Sequence, residues 1–245
     1  MFEPLWHKAS CAFESIRAIS EISQPPWDGL RPRPGASLTP RGEMKRSQFG
    51  GSERKLVYFP IIHTAADMGT LGATVRGIKL STLGRQGLTR HAAVVEKMWE
   101  EIERVAANLP VAPGTVRVYQ DGLPVCAHEQ KIVSELAGAG SQNHRLLLKL
   151  QARGAILMGT ESPELLVEEY QLAAASLGSG GTARKELRQN SLRDTLLEKR
   201  DRYIGGRING TLGAGETGVL FMGLLHDVLR FLDLDIRVVY PLGLR

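Results

Sequence analysis

The run LVYFPIIH, residues 56–63, decides the fold. It is almost wholly apolar, too short for a helix, and lacks the alternation of a half-exposed strand. A segment of this kind reads as a strand buried on both faces, which belongs to a parallel sheet with covering layers. Working outward, Thr115–Tyr119 (TVRVY) alternates like a strand, and Ala155–Met158 (AILM) and Val219–Met222 (VLFM) are short apolar runs. Ile236–Tyr240 reads as a last strand after a short helix. Helical patterns lie between them. His91–Leu109 repeats Val94, Val95, Met98, Ile102 and Val105 at helical spacing until Pro110 stops it. Two shorter helices cover Ala127–Leu136 and Asn143–Ala152. Ser162-Pro163-Glu164 opens a helix running to Leu177, with proline in its first turn. After the flexible break Gly178–Gly181 a long polar helix spans about Thr182 to Leu212, with Gly205-Gly206 late in it, where backbones approach closely. Strands alternating with helices predict a single α/β domain over residues 56–245, its largely parallel central sheet flanked by helices.

Residues 1–55 are of another character. They hold six of the twelve prolines, and nine Lys/Arg against six Asp/Glu. Residues 9–22 fit a short amphipathic helix. Pro25 to Gly51 is rich in Pro, Gly and Arg and reads as a poorly ordered extension. Met44 is a plausible true start, with a basic tail for a partner as the alternative.

Composition narrows the function classes. Hydrophobic residues at 42% with 23% charged residues are ordinary for a globular chain. The net charge of +5 is spread without an aromatic-basic stripe, so nucleic acid is not expected as a partner. Cys11 and Cys126 form neither a disulfide framework nor a zinc-ribbon spacing, which points to a reducing compartment. No apolar run approaches the roughly 18 residues of a membrane span, and Glu3, His7, Glu14 and Glu21 interrupt any signal-peptide pattern. The expected location is cytoplasmic, and the expected ligand a small molecule or peptide.

In open α/β sheets, chemistry gathers beyond the carboxyl ends of the strands. The first strand delivers His63, with Asp67 four residues on. The second delivers Asp121, the third Glu161, and the fourth His226 beside Asp227. Singly each has an ordinary role: Asp before Gly forms turns, and Glu before Ser-Pro caps a helix. Their coincidence at equivalent strand ends makes them a candidate pocket. His144, at a helix start, is a further candidate. Cys126-Ala-His128 is not, because residues two apart on a helix do not face one another.

The stretch RDRYIGGRINGTLGAGETGVLFMGLLHDV, residues 200–228, resembles the closing signature of the ChaN/TraB/GumN/TIKI/erythromycin-esterase-like superfamily. In that family an Arg-Asp or Arg-Asn pair starts a helical segment and a Gly-x-x-His motif closes the following strand. Arg200-Asp201 and Gly223-x-x-His226 match. The earlier Gly-x-x-His falls on Pro60-Ile-Ile-His63, with proline for glycine, and Asp121 stands where glutamate is the more familiar residue. The resemblance follows the order of elements over residues 56–240. It implies a site of His63, Asp121, Arg200 and His226, supported by Asp201, on a fold that hosts a metalloprotease, an antibiotic esterase, haem-binding lipoproteins and regulatory proteins.

The chemistry of these side chains fits that range. Two neutral imidazoles with a carboxylate, His63, His226 and Asp121, form an N,N,O set suited to Zn, Mn or Fe with positions left open. Alternatively a histidine acts directly as general base, oriented by the carboxylate. Arg200 would hold a substrate anion or stabilise an oxyanion. The expectation is a hydrolase-like protein acting on an ester, amide or peptide. The alternative is a non-catalytic metal-, haem- or metabolite-binding protein, or a regulatory module, on the same fold.

Overall fold

The computed structural model describes residues 53–67, 72–177 and 183–242. The expectations for residues 9–22, for Pro25 to Gly51, for Met44 and for Gly178–Gly181 lie outside them. Five parallel strands, β1 (Arg54–Ile61), β2 (Val116–Gln120), β3 (Ile156–Met158), β4 (Thr217–Gly223) and β5 (Ile236–Val239), form one sheet in the order β3-β2-β4-β1-β5. The helices are α1 (Gly72–Ala107), α2 (Glu129–Gly138), α3 (Gln142–Ala152), α4 (Pro163–Leu177) and α5 (Ala183–Thr211), with a short 3-10 turn at Val228–Phe231. The α/β domain with a parallel sheet is as the strand and helix patterns require.

Alternation along each buried strand builds the two covering layers. Val57, Phe59 and Ile61 of β1, with Val118, Val219 and Phe221, pack against Trp99 and Ile102 of α1, Ile132 of α2, and Leu147 and Leu150 of α3. Leu56, Tyr58, Tyr119, Leu220 and Met222 face the other way, onto Ile204, Ile208 and Leu212 of α5. α4 packs along α5. Gly205 of α5 permits close approach of the 3-10 turn, because a Cβ at that position would lie 2.6 Å from the Cβ of Phe231.

Two local features bear on the site. Pro60 pairs with Met222 of β4, whereas β5 is registered only with Arg54 to Val57. β1 has therefore lost one neighbour at residue 60, where a missing N–H is tolerated. α1 begins nearly twenty residues before the periodic stretch from His91 and is broken at Gly84, whose φ of 65° and ψ of 174° are non-helical. Gly72, Gly77, Gly84 and Gly87 dilute any apolar stripe there, so periodicity could not mark this first part. Among the described residues, no helix is long and apolar enough to cross a membrane.

Candidate functional site

β1, β2 and β4 lie side by side, so their carboxyl ends bring His63, Asp121 and His226 together without help from long loops. Asp121 is the hub. Its Oδ2 accepts hydrogen bonds from His63 Nε2 at 2.9 Å and from the backbone N–H of Gly223 at 3.0 Å. Its Oδ1 accepts from Arg200 Nη2 at 3.0 Å and lies 3.6 Å from His226 Nε2. The glycine of Gly223-x-x-His226 has two tasks: its N–H anchors Asp121, and its carbonyl accepts the His226 N–H in a tight turn.

Behind His226 stands Asp201, whose Oδ1 is bonded to His226 Nδ1 and whose Oδ2 accepts from the Asp227 backbone N–H at 2.8 Å. A carboxylate can only accept, so Nδ1 carries the proton and Nε2 is the atom turned toward Asp121. Arg200, one residue earlier on α5, forks onto Glu161 through Nε at 2.7 Å and Nη2 at 2.8 Å. Its Nη1 donates to Glu169 of α4 at 2.9 Å. The Gly122 N–H also donates to Glu161, at 2.7 Å. Arg200, Asp121, Glu161 and both histidines are buried.

Electrostatics separate the two central carboxylates. Burial works to raise Asp121, but the imidazoles of His226 and His63 and the Arg200 guanidinium overcome it and hold the carboxyl well below its usual range. Burial pushes the Glu161 carboxyl up, against the pull of Arg200 and with the push of Asp121. Burial opposes the charge on Arg200 too, yet Glu161, Glu169 and Asp121 raise its pKa well above the ordinary value. Four carboxylates, Asp121, Glu161, Glu169 and Asp201, thus surround one guanidinium and two imidazoles.

Ligand atoms of Asp121, Glu161 and His226 all lie within 4.8 Å of one another, and these three buried residues could hold a metal ion. The set shares Asp121 and His226 with the one expected from sequence. Glu161 stands third in it, while His63 contacts Asp121 through the other carboxylate oxygen. The N,O,O donors fit a divalent cation. Glu161 Oε2 and Asp121 Oδ1 each accept from Arg200 while retaining further lone-pair capacity.

The remaining candidates form a second cluster. Asp67 Oδ2 accepts from the Thr64 backbone N–H at 2.6 Å and the Thr64 hydroxyl at 2.9 Å, and its Oδ1 accepts from Ser141. Ser141, the N-cap of α3, receives His144 Nδ1 at 2.7 Å and the His144 backbone N–H at 3.1 Å. Burial would raise Asp67, but His144 hydrogen bonding, the nearby His63 and Ser141 lower it to about 2. Asp67 and His144 are therefore placed together, and His63, which bonds Asp121, is close enough to lower the Asp67 carboxyl.

Arg200 differs from its expected role. With four of its hydrogen bonds given to three carboxylates, it braces the centre instead of facing a substrate anion. Sequence reasoning missed Glu169 and Ser141. The first looks like any glutamate on a solvated helix face. The second carried only the ordinary N-cap signal of a serine ahead of a helix. In comparisons with family models, curated proteins and solved structures, nothing matched this chain.

Proposed function

We propose that this chain is a hydrolase-like protein that directs water at a small ester, amide or peptide, with His226 as its working base. The observation that carries the reading is the line Asp201–His226–Asp121: a carboxylate fixes Nδ1, and Nε2 is turned toward a second buried carboxylate. Among the described residues, the groups bonded at this centre are carboxylates, imidazoles and a guanidinium, which favours water as nucleophile. Asp201 positions the imidazole and favours its protonated form after proton uptake. Asp121 ties His63 and His226 to one point, and Arg200 keeps Asp121 and Glu161 in place. Alternatively, Asp121, Glu161 and His226 are the residues that would hold a divalent ion such as Zn, Mn or Fe, in which case His226 Nε2 would serve as a ligand and not as the base. Such an ion supplies Lewis-acid polarisation of a carbonyl and charge stabilisation. The resemblance of residues 200–228 to the ChaN/TraB-like superfamily supports the same centre.

Elemental analysis of the purified full chain, joined to a panel of ester, amide and peptide substrates, tests this. His226→Ala is expected to lower turnover by about 10²–10⁴-fold, the usual worth of a general base. Turnover and metal content unchanged in both His226→Ala and Asp121→Asn would sink the reading. A second reading, a non-catalytic binder of a metal, haem or metabolite, draws on the burial of every central side chain. A tightly held ligand without turnover on any substrate class would favour it.

A further inference from the structure

Two buried side-chain amides beside the Asp121 hub hold polar atoms that the centre does not use. Gln120, the last residue of β2, is fully buried, and its Nε2 donates to the Asp121 backbone carbonyl at 3.0 Å. That carbonyl can only accept, so the other end of the amide is the acceptor Oε1. Among the described residues, Oε1 has no hydrogen-bond partner. Asn143, in the first turn of α3, is 1% exposed, and neither its Oδ1 nor its Nδ2 has a partner among the described residues. The two amides belong to one layer. Gln120 lies two residues beyond Val118, on the same face of β2. Asn143 precedes Leu146, Leu147 and Leu150 on the face of α3 that packs into one cluster with Val118. They also lie at one edge of the sheet. Side chains on a helix lean toward its N-terminus. Ser141, the N-cap of α3, is bonded to Asp67, which in turn accepts from Thr64, the neighbour of His63.

A buried amide atom without a partner carries a desolvation cost, which a ligand supplying the missing hydrogen bond removes. The pattern here selects that ligand. Gln120 Oε1 and Asn143 Oδ1 can only accept, so they call for N–H groups, and Asn143 Nδ2 calls for a carbonyl. None of the three atoms carries a charge. We propose that Gln120 and Asn143 form a subsite for the neutral amide group of the substrate, whose N–H and C=O together match this set. An ester offers the carbonyl but no N–H, so it leaves the acceptors buried and unpaired. The subsite rests on the hydrolase reading and narrows it to amides and peptides.

The test is an NMR titration of the isotopically labelled full chain, following the side-chain N–H signals of Gln120 and Asn143. N-methylpropanamide is added in one series and methyl propanoate in another, a neutral pair that differs in N–H against O. Saturable shifts of both side chains are expected with the amide, at an affinity at least about tenfold above that of the ester. Asn143→Leu should weaken amide binding by about tenfold, and Gln120→Met severalfold, while ester binding changes by less than about threefold. Without ligand, Asn143→Leu should melt at the same temperature or higher, having lost an unpartnered buried amide, which also shows that it folds. Equal affinity of the wild type for amide and ester overturns the subsite, and so does an absence of saturable shifts with the amide. Unchanged amide binding in both variants does the same, and the two amides are then architectural. Binding needs no turnover, so the titration is repeated in His226→Ala, where the preference for the amide should persist. A chain that binds the amide in this way yet turns over no substrate loses the hydrolase reading alone. One that hydrolyses amide and ester alike without the shifts loses the subsite alone.

Discussion

The Asp121 hub and the Asp67–Ser141–His144 cluster use the same side-chain chemistry and lie within one domain, yet they are built to opposite ends. Around Asp67 there is one carboxylate, and its oxygens are met by Thr64 and Ser141, with the His144 imidazole 3.7 Å away. That network closes on itself and ties the segment after β1 to the start of α3. Among the described residues, Asp121 lies with the carboxylates of Glu161, Glu169 and Asp201, the Arg200 guanidinium and two imidazoles, and the pKa values of Asp121 and Glu161 are driven in opposite directions. Groups whose environments push their pKa values apart are the mark of acid–base work. A buried acid with its donors in place is the mark of architecture. The difference lies in how each carboxyl is driven, not in residue types.

Removing Arg200 should strike hardest. Arg200→Met leaves Asp121, Glu161 and Glu169 without their common counter-ion, and losing one partner of a buried ion network costs about 3–5 kcal/mol. Urea denaturation should report that loss. Arg200→Lys should recover only part of it, because an ammonium cannot reproduce the fork on Glu161. A loss under about 1 kcal/mol would mean that the hub is not held by this guanidinium.

Asp67→Asn should cost less and in a pH-dependent way. The folded carboxyl titrates at about 2 against an ordinary value of 3.8. Its folded pKa is depressed, so its contribution is complete above the unfolded value and is lost as pH falls from about 4 through 2. The difference corresponds to about 2 kcal/mol at neutral pH. Glu161 has the opposite sign: its raised carboxyl favours folding at low pH, and that contribution fades as pH rises past the unfolded value. Stability curves of wild type and Asp67→Asn should therefore converge between pH 4 and 2. A gap that stays constant through that window would make Asp67 a shape-filling group and not a charged one.

How much of this could be read from the chain follows from what each element needs. The strands were legible because burial on both faces forces short apolar runs, as in Leu56–Ile62 and Val219–Met222. The hub was legible because a parallel sheet sends its strand-end residues to one edge, which selected His63, Asp121, Glu161 and His226. The first part of α1 was not, since its glycines and threonines carry no apolar stripe and a helix there rests on neighbours instead of pattern. Glu169 was not, because a helix-borne glutamate reads as solvated until α4 is known to lie along α5. The role of Arg200 was half legible: its motif marked it for the site, but only three-dimensional proximity reveals three carboxylates waiting for it. The separation of Asp67 from the hub was equally hidden, since position four residues after His63 gives no direction to a side chain.

Ser141→Ala is the mildest change and the sharpest probe of that separation. The hydroxyl donates to Asp67 and accepts both the His144 backbone N–H and the His144 ring N–H. Its loss removes an N-cap, worth about 1 kcal/mol, while Thr64 continues to serve Asp67 and the imidazole already lies 3.7 Å from the freed oxygen. Thermal denaturation should show that small loss. Metal content and turnover should match the wild type, because Ser141 lies in a network that closes without Asp121, Glu161 or His226. If Ser141→Ala instead lowers turnover or metal content as His226→Ala does, the two clusters act as one site. In that case His63, which bonds Asp121 and electrostatically lowers Asp67, is the residue that joins them.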